Sequence, residues 1–330
     1  MPGYYDEDLV TDFAVYRPGS STNGTAPPTS PSKWLYCPST LYGPGKQPYS
    51  ACTETTAVQV TFGQRRDIPL GNLDVDGNAA TGEVGVFTPA TNTYSYRNVC
   101  AGCATSTLTG AGSTVSAEPF PGLYDADGKT DFVTYEPISQ AFNVRLSSEG
   151  YVGVHTVSGP TAAGCGWGVS TVVVPDMFSF TNNGPRQSYT VYDTKSGCWN
   201  NVASLGGTTS TCQWGQIGDV PLGGFFNTPS NLTVFRPGYE ISEAGYPQGN
   251  LITIDSACTP SSVQVLPSYN GRMTYPVGAI SDMTGDGHPE YIQLEPAVGV
   301  TGSHYYIFRS ETNYLQNWAV VIGDVFSVVL

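Results

Sequence analysis

One sequence pattern recurs six times along the 330-residue chain. Each copy joins a short apolar segment, an acidic loop with a nearby glycine, and an alternating segment that usually ends beside a proline. The clearest copy runs from Phe120 to Pro137, and the alternating segments of the six copies end at Tyr16, Phe87, Tyr135, Tyr192, Phe235 and Leu294. A repeat with a period of about 55 residues predicts a series of supersecondary units rather than one irregular core.

The repeats are typical of short β-strands. Alternating segments such as Asp12 to Tyr16 have a period of two, which indicates half-buried strands. Four short strands with their turns fit into one repeat, and four-stranded antiparallel units in series are typical of β-propellers. The sequence therefore predicts one all-β domain over residues 1–330, a six-bladed β-propeller with repeats at about 1–66, 67–117, 118–170, 171–217, 218–273 and 274–330.

The two ends of the chain complement each other in this scheme. Gly323 to Leu330 has the character of an inner strand without its loop, and Met1 to Asp6 that of a loop without its inner strand. We therefore expect the C-terminal strand to complete the first blade and close the ring, which would remove exposed sheet edges. A solenoid is the alternative, but neither end resembles a capping repeat.

Charge and cysteine content narrow the functional classes. Lys and Arg number 13 against 27 Asp and Glu, and the net charge of −14 argues against nucleic acid as a partner, since phosphate contacts need a basic face. The same charge disfavours anionic membrane surfaces, and no apolar run predicts membrane insertion. Eight cysteines predict an oxidising, extracellular or cell-surface location. The first residues do not resemble a signal peptide, so a secreted chain would have lost its leader.

Acidic residues alternate through four of the loops. Alternate oxygen ligands around a glycine turn suit calcium, which takes about six to eight oxygens. The absence of a flanking helical period excludes an EF-hand, and the simpler alternative is a set of solvated acidic turns. The predicted ligands are Asp6, Asp8 and Asp12 in repeat 1; Asp74, Asp76 and Asn78 in repeat 2, with Glu83 displaced; Asp125, Asp127 and Asp131 in repeat 3; and Asp282, Thr284, Asp286 and Glu290 in repeat 6.

Repeats 4 and 5 lack these acids. In repeat 5, Asn231 stands where the final acid would fall and begins the sequon Asn231-Leu-Thr233, and a second sequon begins at Asn23. One hypothesis is that a metal corner has become a glycan-bearing corner, and the alternative is sequence drift. The sequence thus predicts N-glycosylation at Asn23 and Asn231.

Cysteine spacing predicts three disulfides. Two pairs flank similar turns in repeats 1 and 4 with nearly equal spacing, and a third pair lies close together in repeat 2. The predicted pairs are Cys37–Cys52, Cys198–Cys212 and Cys100–Cys103. Cys165 and Cys258 are left over, and their pairing stays open between free thiols and intermolecular links.

The repeated unit resembles the FG-GAP/VCBS repeat family. The acidic loop, the alternating strand and the aromatic-x-Pro ending carry the resemblance, which is strong in repeats 1, 2, 3 and 6 and degenerate in repeats 4 and 5. It implies a propeller with calcium in the loops between the first two strands of a blade. Such propellers occur in integrin α-chain heads, secreted lectins, bacterial surface proteins and non-catalytic parts of enzymes, so the resemblance does not select a function.

The sequence favours a non-catalytic protein. It contains no HExxH, GxSxG or P-loop motif, and no acid–base pair stands apart from the loops. The prediction is an extracellular, calcium-stabilised binding or adhesion module for a glycan or protein ligand, because 21 Tyr and 5 Trp suggest recognition patches. The alternatives are a structural subunit of a surface layer or filament, which would bind copies of itself, and a lyase-type enzyme that would cleave polysaccharide with His304, Tyr305, Tyr306 and Arg309.

Overall fold

A computed structural model shows an all-β chain. It describes residues 4–6, 8, 10–19, 31–43, 45–78, 81–99, 102–110, 117–125, 127–159, 165, 170–174, 186–222, 232–241, 247–255, 258–266, 275–276, 291–295, 304–308 and 317–321. From residue 260 onward it describes the backbone of the strands. The helical segments in these ranges are single 3-10 turns, and none is long and apolar enough to cross a membrane: Tyr49–Ala51, Pro89–Thr91 and Ser147–Glu149.

The chain divides into two compact units. The first comprises Met1–Gly110 with Tyr275–Leu330, and the second comprises Ala111–Thr274. Every described sheet lies within one unit, and all of its strand pairs are antiparallel.

The first unit contains the first, second and sixth sheets in chain order. The first sheet is formed by β1 (Phe13–Arg17), β2 (Lys33–Cys37) and β3 (Val58–Thr61). The second is formed by β4 (Ile68–Leu73), β5 (Glu83–Thr88), β6 (Thr93–Asn98) and β7 (Ser106–Thr109). The sixth is formed by β20 (Tyr275–Pro276), β21 (Tyr291–Glu295), β22 (His304–Phe308) and β23 (Asn317–Val321).

The second unit contains the third, fourth and fifth sheets. The third is formed by β8 (Glu118–Pro119), β9 (Phe132–Glu136), β10 (Ala141–Arg145) and β11 (His155–Ser158). The fourth is formed by β12 (Thr171–Val173), β13 (Tyr189–Asp193), β14 (Cys198–Val202) and β15 (Thr209–Gln213). The fifth is formed by β16 (Val220–Leu222), β17 (Leu232–Ile241), β18 (Pro247–Ile254) and β19 (Pro260–Leu266).

Five of these sheets are four-stranded meanders, the blade unit of β-propellers, so the fold is of the propeller type. The predicted six-bladed closed ring is wrong. The first sheet has three described strands, and β23 pairs with β22 in its own sheet rather than with β1. Tyr5 and Asp6, before β1, lie in an irregular loop, and no described strand precedes them. The predicted closing segment, 323–330, lies outside the described residues.

The second strand of a sheet packs against neighbouring sheets on both of its faces. Tyr135 of β9 shares a hydrophobic core with Val191 of β13 in the next sheet. Tyr192 of β13 shares another core with Val234 of β17 in the sheet after that. Because Val191 and Tyr192 are neighbours in one strand, their side chains leave opposite faces. The alternating segments of the sequence are therefore the strands that join successive sheets.

The aromatic residues that end these segments anchor the following sheet. Tyr16 of β1 packs with Val86 of the second sheet. Its hydroxyl donates to the carbonyl oxygen of Gln64, 2.8 Å away, in the connection to β4. Tyr192 makes the equivalent bond to the carbonyl oxygen of Gln216 over 3.4 Å. At these two positions the tyrosine ring packs in the core, and its hydroxyl bonds to the chain segment that leads to the next sheet.

The disulfide predicted in repeat 1 is present. Cys37 at the end of β2 is joined to Cys52, which follows a 3-10 turn, and their Cα atoms are 6.0 Å apart. Cys103 is also disulfide-bonded, but its predicted partner Cys100 lies outside the described residues.

The predicted Cys198–Cys212 disulfide is wrong. Cys198 is joined to Cys165 and Cys212 to Cys258, with Cα separations of 5.6 and 5.7 Å. Cys198 lies opposite Gln213 in the register of β14 and β15, so Cys212 is one residue out of step. Its side chain therefore leaves the opposite face of the sheet. Both leftover cysteines of the sequence analysis thus have partners within the chain.

Replacing Trp199 tests the packing between the fourth and fifth sheets. The side chain has no exposed surface, and its indole nitrogen donates to the carbonyl oxygen of Trp214 over 3.0 Å. We expect Trp199→Ala to lower the free energy of unfolding by about 3–5 kcal/mol in urea denaturation. Val220→Ala, at a partly exposed position, should change it by less than about 0.5 kcal/mol. Equal effects of the two substitutions would contradict this packing.

Candidate functional site

Two acidic loops of the described chain share one design, and we call each of them a corner. The first corner comprises Asp6, Asp8, Asp12 and the turn at Ser39–Thr40. The third corner comprises Asp125, Asp127, Asp131 and the turn at Ser147–Ser148. Asp12 stands immediately before β1 and Asp131 immediately before β9, and the hydroxyl-bearing turns follow β2 and β10, the next strands along the chain. Asp12 and Asp131 are both 0% exposed.

In the third corner, Asp131 ties the loop to the turn. One carboxylate oxygen accepts the backbone N–H groups of Tyr124 and Asp125 over 2.7 and 2.9 Å. The other accepts the N–H of Ser147 over 2.7 Å and lies 2.9 Å from its hydroxyl. Asp131 was predicted as a metal ligand, and that role stays a prediction. The structure shows that its carboxylate holds the backbone of the loop and of the turn together.

The Ser147 hydroxyl lies within hydrogen-bonding distance of more acceptors than its single proton can bond. Its oxygen lies 2.9 Å from both carboxylate oxygens of Asp127 and 2.9 Å from one oxygen of Asp131. A serine hydroxyl has one proton to donate. Asp125 adds a third carboxylate, which accepts the backbone N–H of Ser148 over 3.3 Å. Negative charge therefore accumulates around one hydroxyl.

The first corner repeats these contacts. Asp12 accepts the N–H of Tyr5 over 2.6 Å and the N–H of Ser39 over 2.5 Å. The Ser39 hydroxyl lies 2.8 Å from both carboxylate oxygens of Asp8. Asp6 accepts the backbone N–H of Thr40 over 2.9 Å. The same geometry thus arises twice from different surrounding sequence.

The loop of repeat 2 is built differently. Glu83 takes the place of the last Asp, and its carboxylate accepts the N–H groups of Val75 and Asp76 over 3.0 and 3.3 Å. The predicted ligand Asn78 turns its side-chain amide to Thr81 at 2.5 Å. The predicted ligand Asp74 accepts the N–H of Gly77 over 2.8 Å. The predicted acids are present in this loop, but the described residues include no serine turn like those of the two corners, and the equivalent position, Cys100, lies outside them.

In the fourth sheet, neutral side chains take the place of the acids. Ser188 stands where the last acid falls in the other repeats, and its hydroxyl lies 3.0 Å from that of Thr190. The amide nitrogen of Asn201 donates to Thr190 over 2.7 Å and also to Ser188. All three side chains are buried. These three side chains bond to one another, and residues 175–185 of the preceding loop lie outside the described residues.

Burial raises the pKa of the last acid at the three acidic loops that the structure describes. Loss of solvent is the main cause, and a neighbouring carboxylate adds to it. The pKa of Asp12 is raised to about 7 beside Asp6, and that of Asp131 to about 6 beside Asp125. The pKa of Glu83 is raised to about 7. Hydrogen bonds from the loops oppose this rise without cancelling it.

The donor chemistry of the two corners suits a hard cation. Carboxylate and hydroxyl oxygens surround each corner, and no ion pair of the described residues involves these acids. Calcium prefers such oxygen donors. Within the described ranges, however, no three His, Cys, Asp or Glu side chains form a ready metal cluster. Calcium at Asp125–Asp127 and at Asp6–Asp8 therefore stays a prediction, and it would need backbone or serine oxygens as well.

Several predicted positions lie outside the described residues. They comprise the loop of repeat 6 and both sequons: Asp282, Thr284, Asp286, Glu290, Asn23 and Asn231. Conversely, the sequence analysis missed the hydroxyl turns at Ser39 and Ser147. A signal was present, because Ser39 falls two residues after β2 and Ser147 two residues after β10.

Comparisons with known proteins leave the family open. No family model and no curated protein matches the chain. One solved structure that it matches is the crystal structure of a protein from Lactobacillus plantarum, with 11% sequence identity and a TM-score of 0.43. The match covers 94% of this chain and 82% of that one. The resemblance to FG-GAP/VCBS repeats therefore stays a prediction.

The pH dependence of metal-free protein tests the burial of the acids. A folded-state pKa that is raised favours folding below the unfolded pKa, and this contribution is lost as pH rises through the folded pKa. The free energy of unfolding should therefore fall between about pH 4 and pH 7, with Asp12, Asp131 and Glu83 contributing. Urea denaturation in EDTA would measure it. Glu83→Gln should flatten the slope, and an unchanged slope would contradict the role given to this residue.

Replacing Asp131 by Asn tests its role as a staple. The new amide NH₂ would face N–H donors of Tyr124 and Asp125 or of Ser147, leaving buried groups unpaired. We expect metal-free protein to lose about 1–3 kcal/mol of stability in urea denaturation. Asp127→Asn, at an exposed side chain of the same corner, should cost less than about 0.5 kcal/mol under the same conditions. If both variants match the wild type, Asp131 does not hold the corner.

Proposed function

We propose that this protein is an extracellular, calcium-stabilised binding module that recognises another protein. The observation that carries the calcium part is the corner itself, which occurs twice. In each copy, a fully buried carboxylate and a second carboxylate lie against one serine hydroxyl, and a third carboxylate accepts an N–H group of the same turn. The only cationic side chain among the described contacts is Lys46 in the first corner, which donates to the carbonyl oxygen of Ser39 over 2.7 Å and forms no ion pair with the acids. Calcium would balance this charge and favour the ionised form of the buried acid.

The disulfides support an extracellular location. Cys37–Cys52, Cys165–Cys198 and Cys212–Cys258 are formed, and Cys103 is also disulfide-bonded. Disulfides of this number persist in oxidising compartments and are rare in reducing ones. A cell-surface or secreted protein would also meet the millimolar calcium levels that weak extracellular sites require.

The exposed side chains favour a protein partner over a glycan. Part of the argument for glycan binding was the abundance of Tyr and Trp, but the largest fully buried side chains are mostly these aromatics, led by Trp34 and Trp199. The large exposed apolar residues of the described chain are aliphatic, and the most exposed are Val152 (83%), Ile138 (79%) and Ile217 (78%). Aliphatic side chains suit protein contacts, whereas stacking on sugars needs exposed rings.

Fewer observations support the filament and lyase alternatives. The same aliphatic residues would suit contacts between copies in a filament or surface layer. For the lyase alternative, β22 carries His304, Tyr305 and Tyr306, but only its backbone is described. His155 pairs with Glu149 over 2.8 Å on an outer strand.

Terbium luminescence tests the calcium sites. Tyr5 and Tyr124 donate their N–H groups to Asp12 and Asp131, so tyrosine excitation should sensitise a lanthanide bound at either corner. We expect emission that excess calcium displaces, and a higher melting temperature in calcium because ligand binding stabilises only the folded state. Asp8→Asn and Asp127→Asn should each lower the emission. No emission together with an unchanged melting curve in EDTA would contradict the calcium proposal.

Parallel arrays of extracellular proteins and of glycans test the partner class. The proposal predicts calcium-dependent binding to a protein, which Val152→Asp should weaken while leaving the melting temperature unchanged because the side chain is exposed. Binding to glycans alone would contradict it, and so would release of unsaturated oligosaccharides from a polysaccharide. Concentration-dependent assembly in light scattering would favour the filament alternative.

A further inference from the structure

The loop of the third corner is bonded directly to the fourth sheet. The N–H of Leu123 donates to the side-chain oxygen of Gln187 over 2.9 Å, and the N–H of Gln187 donates to the carbonyl oxygen of Leu123 over 2.6 Å. A Cβ atom added at Gly122 would lie 1.6 Å from that side-chain oxygen. A side chain at position 122 would therefore force the Gln187 side chain to move, and the two-way bond holds the start of the loop against the segment just before β13.

The next residue of the loop faces both the corner and the fourth sheet. The ring of Tyr124 stacks on the ring of Tyr189 with centroids 4.7 Å apart and an interplanar angle of 17°. Its backbone N–H is one of the donors to Asp131. The buried carboxylate and the fourth sheet thus hold the segment Leu123–Tyr124 from its two sides.

The hydroxyl of Tyr189 is left without a partner at this junction. The side chain is 1% exposed, and its oxygen has no hydrogen bond among the described residues. Burial raises the pKa of this phenol, and the charges of Asp131 and Asp125 raise it further, so both carboxylates act on the hydroxyl. Burying an unpaired hydroxyl is unfavourable, and a cation with its bound water would offset this cost by supplying a partner.

The first corner has the same relation to the second sheet. The N–H of Gly82, next to the start of β5, donates to the carbonyl oxygen of Tyr4. The following residue, Tyr5, donates to Asp12 and shares a hydrophobic core with Val84 of β5. The pair Tyr4–Tyr5 precedes Asp6, and the pair Leu123–Tyr124 precedes Asp125. Each pair is bonded on one side to the buried carboxylate of its corner and packs on the other side against the next sheet.

We propose that each corner is a clamp whose cation sets how firmly the following sheet is held. The clamp of the third corner holds the fourth sheet. Gln187 and Tyr189 transmit the effect of the cation from the corner to that sheet. In the fourth sheet itself, the described residues at the equivalent position, Ser188, Thr190 and Asn201, are neutral and bond to one another. This inference rests on the proposed calcium sites.

Hydrogen–deuterium exchange on the whole protein tests the clamp. In calcium, Asp127→Asn should speed amide exchange in β13 by about tenfold or more and leave β5 unchanged. Asp8→Asn, the matched variant, should do the reverse. EDTA should speed exchange in both strands of the wild type. The comparison separates the two clamps because each variant serves as the control for the other.

The outcomes separate failure of the clamp from failure of the calcium sites. If calcium protects residues 122–131 but Asp127→Asn leaves β13 unchanged, calcium binds and the clamp is wrong. If calcium changes neither the loop nor the strand, both proposals are wrong.

The coupling must also work in reverse, because linkage is reciprocal. Gln187→Ala removes the side-chain acceptor of the Leu123 N–H and leaves the backbone bond from residue 187 to Leu123 in place. It should weaken terbium binding at the third corner several-fold and leave the first corner unchanged, with Asp8→Asn and Asp127→Asn backgrounds used to assign the two sites. Equal terbium affinity in wild type and Gln187→Ala would overturn the clamp.

Discussion

The buried carboxylate immediately before β1 or β9 is the interaction on which the two corners depend. Asp131 has no exposed surface, and both of its oxygens accept N–H groups, one from the loop and one from the turn after β10. Burying an ionised carboxylate is costly unless it is paired. Its raised pKa means that hydrogen bonds alone do not balance the charge. The corner is completed either by a proton or by a cation, and this is the physical basis for proposing calcium.

The repeats solve the same problem in three ways. Asp12 and Asp131 are paired with serine turns, and Glu83 reaches its loop with a longer side chain. In the fourth sheet, a neutral network around Ser188 replaces the acid. Among the described residues, the fourth sheet therefore begins its second strand without a buried charge at this position. The acids at the other loops are therefore not required by the strand pairing, which favours a separate role in binding a cation.

The sequence predicted the elements whose cause is local and failed where distant residues decide. Strand β9 and its anchor Tyr135 follow from a period of two, and Cys37–Cys52 follows from a short turn. Cys198–Cys212 failed because the register of β14 with β15, which spacing alone does not reveal, puts these side chains on opposite faces. Ring closure failed because strand pairing at the chain ends is a tertiary property. Ser147 was missed because it meets Asp131 only after β10 folds back on β9.

Anomalous X-ray scattering from crystals grown with calcium or terbium tests the central claim most directly. The claim predicts anomalous peaks between Asp127 and Ser147 and between Asp8 and Ser39, with oxygen ligands at about 2.3–2.6 Å for calcium. It also predicts a water or an oxygen ligand within hydrogen-bonding distance of the Tyr189 hydroxyl. Fully ordered corners without anomalous density at saturating metal, with the Asp127 and Ser147 side chains still in direct contact, would contradict it.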